Sequence, residues 1–165
     1  MYEESRALLR DMGDPPDLVD TLIGMANLAY NQGDLARAVT LCEECQEVCW
    51  RVSDQQGIAA ALFMLGHVAR DRHEDADALT LYREALDLRQ QVESMRGIVC
   101  VLEPVAVVHA TQGHLTHATR LLGVASAIRA TLGAPVAPVD RPLLEQTRAA
   151  CAAAPGRRRI CRCVG

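Results

Sequence analysis

The sequence has 165 residues, enough for one domain or a short array of repeats but too few for a multidomain enzyme. Half of the residues are apolar and only 3% are aromatic, so the interior has to be built from alanine, leucine and valine. This composition favours helices over a β-sandwich or barrel. The apolar fraction is too high for a disordered chain, and charged residues interrupt every apolar run before it could cross a membrane. We therefore expect a soluble, all-α protein with no membrane contact.

The charged residues exclude several kinds of function. Residues 155–165 hold four arginines and no acid, so residues 1–154, with 13 arginines against 21 acids, have a net charge of −8. An acidic body argues against nucleic-acid binding, which needs a basic surface. The chain contains no lysine, which excludes a phosphate-loop, Schiff-base or kinase-type lysine. A glycine-rich phosphate loop, a nucleophile elbow and a His-Glu-x-x-His motif are also missing, so we expect neither an enzyme nor a cofactor.

Two further features predict a cytoplasmic protein. The segment 1–10 is charged and amphipathic and lacks the apolar core of a secretory signal. The seven cysteines are odd in number and lack the spacing of a disulfide framework, which indicates reduced thiols.

A repeat of 40 residues runs through the sequence and predicts helical hairpins. Within each copy, apolar residues recur every three or four positions in two stretches, which indicates two helices that each bury one stripe. Gly33 and Gly113 stand between these stretches, where glycine can end a helix in the left-handed conformation. The matched positions include Leu22, Leu62 and Leu102; Ala26, Gly66 and Ala106; Ala38, Ala78 and Ala118; and Cys45, Ala85 and Ala125. The predicted helices are 17–31, 34–52, 55–71, 74–93, 96–112, 115–131 and a last one near 140–153.

The second copy of the repeat carries the most distinctive residues. It reads Leu62, Leu65-Gly66, Ala69, then Ala78, Tyr82 and Ala85. This order resembles the tetratricopeptide repeats, whose pattern has Leu-Gly, Ala and Tyr-x-x-Ala. The first copy departs from the pattern at Cys42 and the third at His109. A 40-residue unit is longer than the usual repeat of about 34 and equals that of HEAT repeats, but the two residue pairings favour the tetratricopeptide interpretation. The resemblance spans roughly residues 2–154 and implies a right-handed α-α superhelix of about three and a half hairpins.

The length of the repeat and the closing stretch 118–135 carry a second resemblance. They resemble the C-terminal sensor arrays of large bacterial ATPase regulators of the LuxR type. In those regulators a phosphate-loop ATPase module precedes the repeats, so the resemblance implies that this chain is the sensor portion of a larger protein.

The repeat phase divides the chain into segments. We expect a half-repeat at 1–16, three repeats at 17–54, 55–94 and 95–134, a capping helix at 135–154, and a basic, disordered tail at 155–165. Tyr2 aligns with Tyr82, so Met1 falls inside a helix whose partner helix is missing. We therefore expect a fragment, an internal start, or an end that pairs with another chain through Leu8 and Leu9 and the exposed faces of Leu18 and Leu22. The tail matches no pattern that we recognise.

The cysteines offer a metal site as an alternative. Cys42, Cys45 and Cys49 share one predicted helix face, and with Cys161 and Cys163 they could supply thiolates to a tetrahedral metal ion. The three helical positions belong to the buried stripe, however, where free cysteine acts as a small apolar residue. We therefore predict no metal here.

Histidines and acids offer two further alternatives. His109, His114 and His117 cluster around one turn and could bind a metal or sense pH, but the last two align with ordinary solvated turn positions of the first copy. The run 73–77 places acids near a histidine, as in hydrolytic sites, but acids are also common at a helix start, where they face the helix dipole. We favour the structural interpretation for both.

The resemblance implies a binding groove lined by the first helix of each hairpin. Removing the buried stripe leaves a set of groove positions, in which Asn27 could hydrogen-bond a peptide backbone, Arg70 could pair with a carboxylate, and Tyr30 with Phe63 could hold an apolar side chain. The groove lacks the lysines with which some relatives clamp a terminal carboxylate. The predicted groove positions are Asp20, Ile23, Asn27, Tyr30, Asn31, Phe63, His67, Arg70, Asp71, Glu103, Val107 and Thr111.

The sequence therefore predicts a scaffold that binds a protein or peptide and catalyses nothing. A stand-alone adaptor is the first alternative. A metal-dependent enzyme or metal-binding protein that uses the cysteine and histidine clusters is the second.

Overall fold

A computed structural model describes residues 15–137 and 140–153. The all-α prediction is confirmed, since the described residues form helices joined by turns and contain no strand. Each helix bound lies within two residues of its predicted position. The helices are α1 (Pro15–Asn31), α2 (Leu35–Val52), α3 (Gln55–Asp71), α4 (Asp75–Gln91), α5 (Met95–Thr111), α6 (Leu115–Leu132) and α7 (Arg141–Ala153).

The predicted terminal segments fall largely outside this range. Of the half-repeat at 1–16, only the first residues of α1 are described, and Leu8 and Leu9 are not among them. The tail at 155–165, with Cys161 and Cys163, also lies outside the described residues. In the part that is described, none of the helices combines the length and the apolar character needed to span a lipid bilayer.

The chain divides into two compact units at Ser94. In the first unit, α1 pairs with α2 and α3 pairs with α4, and α3 also packs against α1 and α2. In the second unit, α5 pairs with α6, and α7 packs against both. Each unit is therefore built from the predicted helical hairpins.

Small residues at repeated positions allow the helices of each hairpin to approach closely. Ala38, Ala78 and Ala118 are fully buried one turn into the second helix of the three hairpins. Two turns later, Cys45, Ala85 and Ala125 are also fully buried. A larger side chain at these positions would overpack the core, which is why the repeat keeps them small.

The helix ends repeat as regularly as the core. Among the described residues, six adopt the left-handed conformation, and each lies 20 residues after the one before: Gly33, Ser53, His73, Glu93, Gly113 and Gly133. At each site the next residue's amide donates to a carbonyl five positions back, as Glu74 N does to Ala69 O at 2.9 Å. Asp34 and Asp54 then cap the following helix by accepting hydrogen bonds from its first amides.

Candidate functional site

The first unit carries nine of the predicted groove positions, and all nine are at least partly accessible. On α1, Asp20, Asn27 and Asn31 are exposed on one face, and Ile23 and Tyr30 lie half-buried beside them. On α3, Phe63, His67 and Arg70 are half-buried and Asp71 is exposed. We call this set of nine residues the groove face.

Aromatic rings pack together at the centre of the groove face. The His67 ring centroid lies 4.3 Å from that of Phe63, edge to face, and 5.8 Å from that of Tyr30. Beneath them, Tyr82 of α4 is fully buried, with its ring centroid 5.7 Å from that of His67. Such tilted and edge-to-face arrangements are the favourable ones for aromatic pairs. The partly accessible rings therefore rest on a buried aromatic base.

A polar network links α1 to α3 above these rings. The Tyr30 hydroxyl donates to Asp71 Oδ2 at 2.6 Å and accepts from Arg70 Nη2 at 2.9 Å. Arg70 Nε and Nη2 also donate to Asp71 Oδ1 at 3.0 and 2.9 Å. Burial, followed by the hydrogen bond to Asp71, raises the pKa of Tyr30 to about 12, so the phenol stays protonated at neutral pH. The network fixes the orientation of the Tyr30 ring.

A second hydrogen bond fixes His67. Its Nδ1 lies 2.9 Å from the Tyr82 hydroxyl. Burial, followed by the nearby charge of Arg70, lowers the pKa of His67 to about 3, so the imidazole is neutral. Burial also raises the pKa of Tyr82. A neutral, hydrogen-bonded His67 is a fixed part of the surface and does not act as an acid or base near pH 7.

Two specific expectations for the groove face differ from the structure. The Asn27 amide donates to Ile23 O within its own helix at 3.0 Å, so this donor is already engaged. The Arg70 guanidinium, expected to receive a partner's carboxylate, is paired with Asp71. Sequence reasoning also missed the role of Tyr82 as the support of His67. Its place in the Tyr-x-x-Ala pattern marked it as a repeat position, but the pattern carries no information about its hydrogen-bond partner.

In the second unit, burial contradicts the predicted accessibility of Glu103 and Val107. Val107 lies in a core cluster with Leu144 and Cys151 of α7, because this extra helix covers the face that the repeat phase left open. Glu103 is buried and accepts two hydrogen bonds from Arg129, at 2.7 and 2.6 Å. Thr111 is exposed, and its hydroxyl donates to Val108 O. Of the three predicted positions in this unit, only Thr111 is exposed.

The cysteines of α2 form a buried cluster. Cys42, Cys45 and Cys49 have no exposed surface, and the Sγ atoms of the last two are 3.8 Å apart. Burial raises the pKa of Cys42 to about 12 and also raises the pKa of the other two. The thiolate, which is the form that binds metals and attacks electrophiles, is therefore disfavoured.

The three histidines of the second unit do lie together. The ring centroids of His109, His114 and His117 are 5.8 to 6.3 Å apart. Burial, followed by the charges of the two neighbouring rings, lowers the pKa of His109. In the described ranges, no three His, Cys, Asp or Glu side chains are placed so that they could hold a metal ion.

Comparison with known families addresses the first unit directly. Residues 17–91 match a family model described as Tetratricopeptide repeat. The match supports a tetratricopeptide-repeat protein. It covers α1 to α4 almost completely, and thus all nine residues of the groove face. No curated protein matches the chain. Tetratricopeptide repeats suggest a scaffold for protein–protein interaction.

Proposed function

We propose that the groove face binds an extended segment or helix of a protein partner, without chemical turnover. The observation that carries this proposal is the set of partly accessible rings of Tyr30, Phe63 and His67, which internal hydrogen bonds and ring contacts already hold in place. An accessible aromatic surface with polar residues beside it is the usual composition of a binding hot spot.

Preorganisation strengthens the argument. Immobilising a flexible side chain on binding costs about 0.5–1.5 kcal/mol. Hydrogen bonds to Asp71 and Tyr82 already restrain Tyr30 and His67 in the folded protein, so binding a partner does not incur this cost again. Phe63 packs edge to face on His67 and presents the remaining apolar surface.

We further propose that the chain is the sensor portion of a cytoplasmic bacterial ATPase regulator and that it is not itself an enzyme. The resemblance of the stretch 118–135 to the last repeat of such regulators supports this context. The coding DNA upstream of Met1 tests it. An in-frame continuation into further repeats and a phosphate-binding loop supports the sensor, whereas a stop codon directly upstream supports the stand-alone adaptor.

The binding proposal is tested with peptides selected on the full chain from a random library. Phe63→Ala should weaken the selected peptides at least tenfold, because it removes the apolar centre of the groove face. Trp50→Ala is the matched control, since Trp50 is 70% exposed on α2 and lies outside the groove face. Peptides that lose affinity with Trp50→Ala and keep it with Phe63→Ala would place binding elsewhere and refute the proposal.

A further inference from the structure

The two units differ strongly in charge. Residues 15–94 hold six arginines and fourteen acidic residues, a net charge of −8 with histidine neutral. The described residues of the second unit hold five arginines and three acids, a net charge of +2. The negative charge of the chain is therefore concentrated in the unit that carries the groove face, where it favours the approach of a cation.

The groove face itself has the same sign. Arg70 is its one basic residue, and its guanidinium is already paired with Asp71. Asp20 is exposed and adds an acid. Asn27 and Asn31, exposed beside it on α1, carry amide oxygens that can accept hydrogen bonds. A partner's carboxylate would meet no uncompensated cation among these nine residues, whereas a guanidinium or ammonium group would meet Asp20 and amide acceptors.

The apolar part of the groove face indicates which partner side chain can bind at its centre. Ile23 and Phe63 occupy equivalent positions in successive hairpins, 40 residues apart, and both are half-buried. Tyr30 and Phe63 both pack on the His67 ring, and Ile23 lies two turns before Tyr30 on α1, so the otherwise polar and acidic face also offers apolar surface. Such a surface accommodates a large aliphatic or aromatic side chain better than a run of charges alone.

We propose that the groove face binds a basic segment of a protein partner, in which arginine or lysine residues flank one large apolar anchor. This inference rests on the proposed function, because it names the chemistry of the partner that the groove face receives. Electrostatic complementarity sets the selectivity and the rate of association, and the apolar anchor supplies most of the affinity.

The test uses the full chain and three labelled peptides of about 12 residues with the same central Leu-Phe anchor. Arginines flank the anchor in the first, serine and glutamine in the second, and glutamates in the third. Fluorescence anisotropy should show the basic peptide binding at least tenfold more tightly than the uncharged one, and the acidic one more weakly still. The affinity of the basic peptide should fall as salt is raised from about 0.05 to 0.5 M, because the Debye length shortens from roughly 14 to 4 Å.

A pair of variants separates local from overall charge. Asp20→Asn removes one charge within the groove face, and Asp87→Asn removes one charge from an exposed position on α4, outside it. Asp20→Asn should weaken the basic peptide about threefold or more and leave the uncharged peptide unchanged. Asp87→Asn should change either peptide by less than a factor of two. Equal effects of the two variants would overturn the proposal, because the attraction would then be non-specific.

The remaining outcomes distinguish failure of the charge argument from failure of the binding function. If all three peptides bind equally and Phe63→Ala weakens each of them, the groove face binds partners but the basic preference is wrong. If Phe63→Ala changes none of them, both proposals fail. Sedimentation of the protein without peptide tests one more outcome. If the protein is a dimer and Phe63→Ala dissociates it, a second copy of the chain occupies the groove face, and the proposal of a basic partner is overturned.

Discussion

Replacing Gly66 with alanine should destabilise the first unit, although alanine is the better helix former. A Cβ atom at position 66 would lie 2.6 and 2.7 Å from Cε1 and Cδ1 of the Tyr82 ring. That ring is fully buried and held by its hydrogen bond to His67, so it cannot move aside easily. Overpacking of this kind costs about 1–3 kcal/mol, and the gain in helix propensity returns about 1 kcal/mol. We expect a net loss of about 1 kcal/mol or slightly more.

Gly123 provides the matched control in the second unit. It also lies inside a helix, but a Cβ atom there would have no neighbour within 4 Å. Gly123→Ala should therefore stabilise α6 by about 1 kcal/mol. Amide hydrogen exchange, read separately for α3 and α6, measures both effects, since exchange reports the local opening of each helix.

A double-mutant cycle identifies the cause. Tyr82→Leu removes the ring that opposes Gly66, so Gly66→Ala should cost less in that background than in the wild type. A result in which Gly66→Ala stabilises α3 as much as Gly123→Ala stabilises α6 would contradict the close approach of Tyr82 to position 66. The explanation for the small residue at this repeat position would then fail as well.

Three further predictions concern the turns, the buried ion pair and pH. His73→Gly should raise the free energy of unfolding of the first unit by about 1 kcal/mol in urea titration, because His73 has a φ of 62° that glycine adopts without strain. Glu103→Gln should destabilise the second unit by roughly 3 kcal/mol, read from hydrogen exchange of α5, because it leaves the Arg129 charge, 13% exposed, without its carboxylate partner. Hydrogen exchange of α5 at the wild-type rate would contradict it. Because the pKa of His67 is lowered in the folded state, its contribution to the free energy of unfolding is complete above about pH 6.5 and is lost as the pH falls below that value. Between pH 7 and 5 the free energy of unfolding should therefore fall by about 2 kcal/mol more in the wild type than in His67→Gln.

The repeat period made the helices and their small crossing residues predictable. A 40-residue shift aligned Ala38, Ala78 and Ala118, and all three proved to be fully buried. Positions of this kind depend only on the contact between the two helices of one hairpin, which are close in sequence. Local periodicity is sufficient to find them.

Burial in the second unit was not predictable in the same way. The repeat pattern of α5 placed Glu103 and Val107 on an open helix face. That pattern contains no information about whether a later helix covers the face. Packing of α7 against α5 and α6 buries Val107 against Leu144. The acid at position 103 stands where the first two hairpins have Ile23 and Phe63, and its partner Arg129 is 26 residues away in α6. A period cannot reveal a pair that occurs in one repeat only.

The polar network of the groove face also joins residues that the repeat pattern does not connect. Tyr30 and Asp71 are 41 residues apart, and each looks like an ordinary surface position in its own helix. Together with Arg70, they form hydrogen bonds with one another, so these three side chains are already engaged before a partner binds. A partner that binds over Tyr30 and Phe63 then displaces water from a surface whose side chains are already restrained. Arg70, which the sequence marked as a potential partner of a ligand carboxylate, thus helps to hold the Tyr30 ring. In the binding mode that we propose, the exposed Asp20 and the asparagine side chains remain available for contact with the partner.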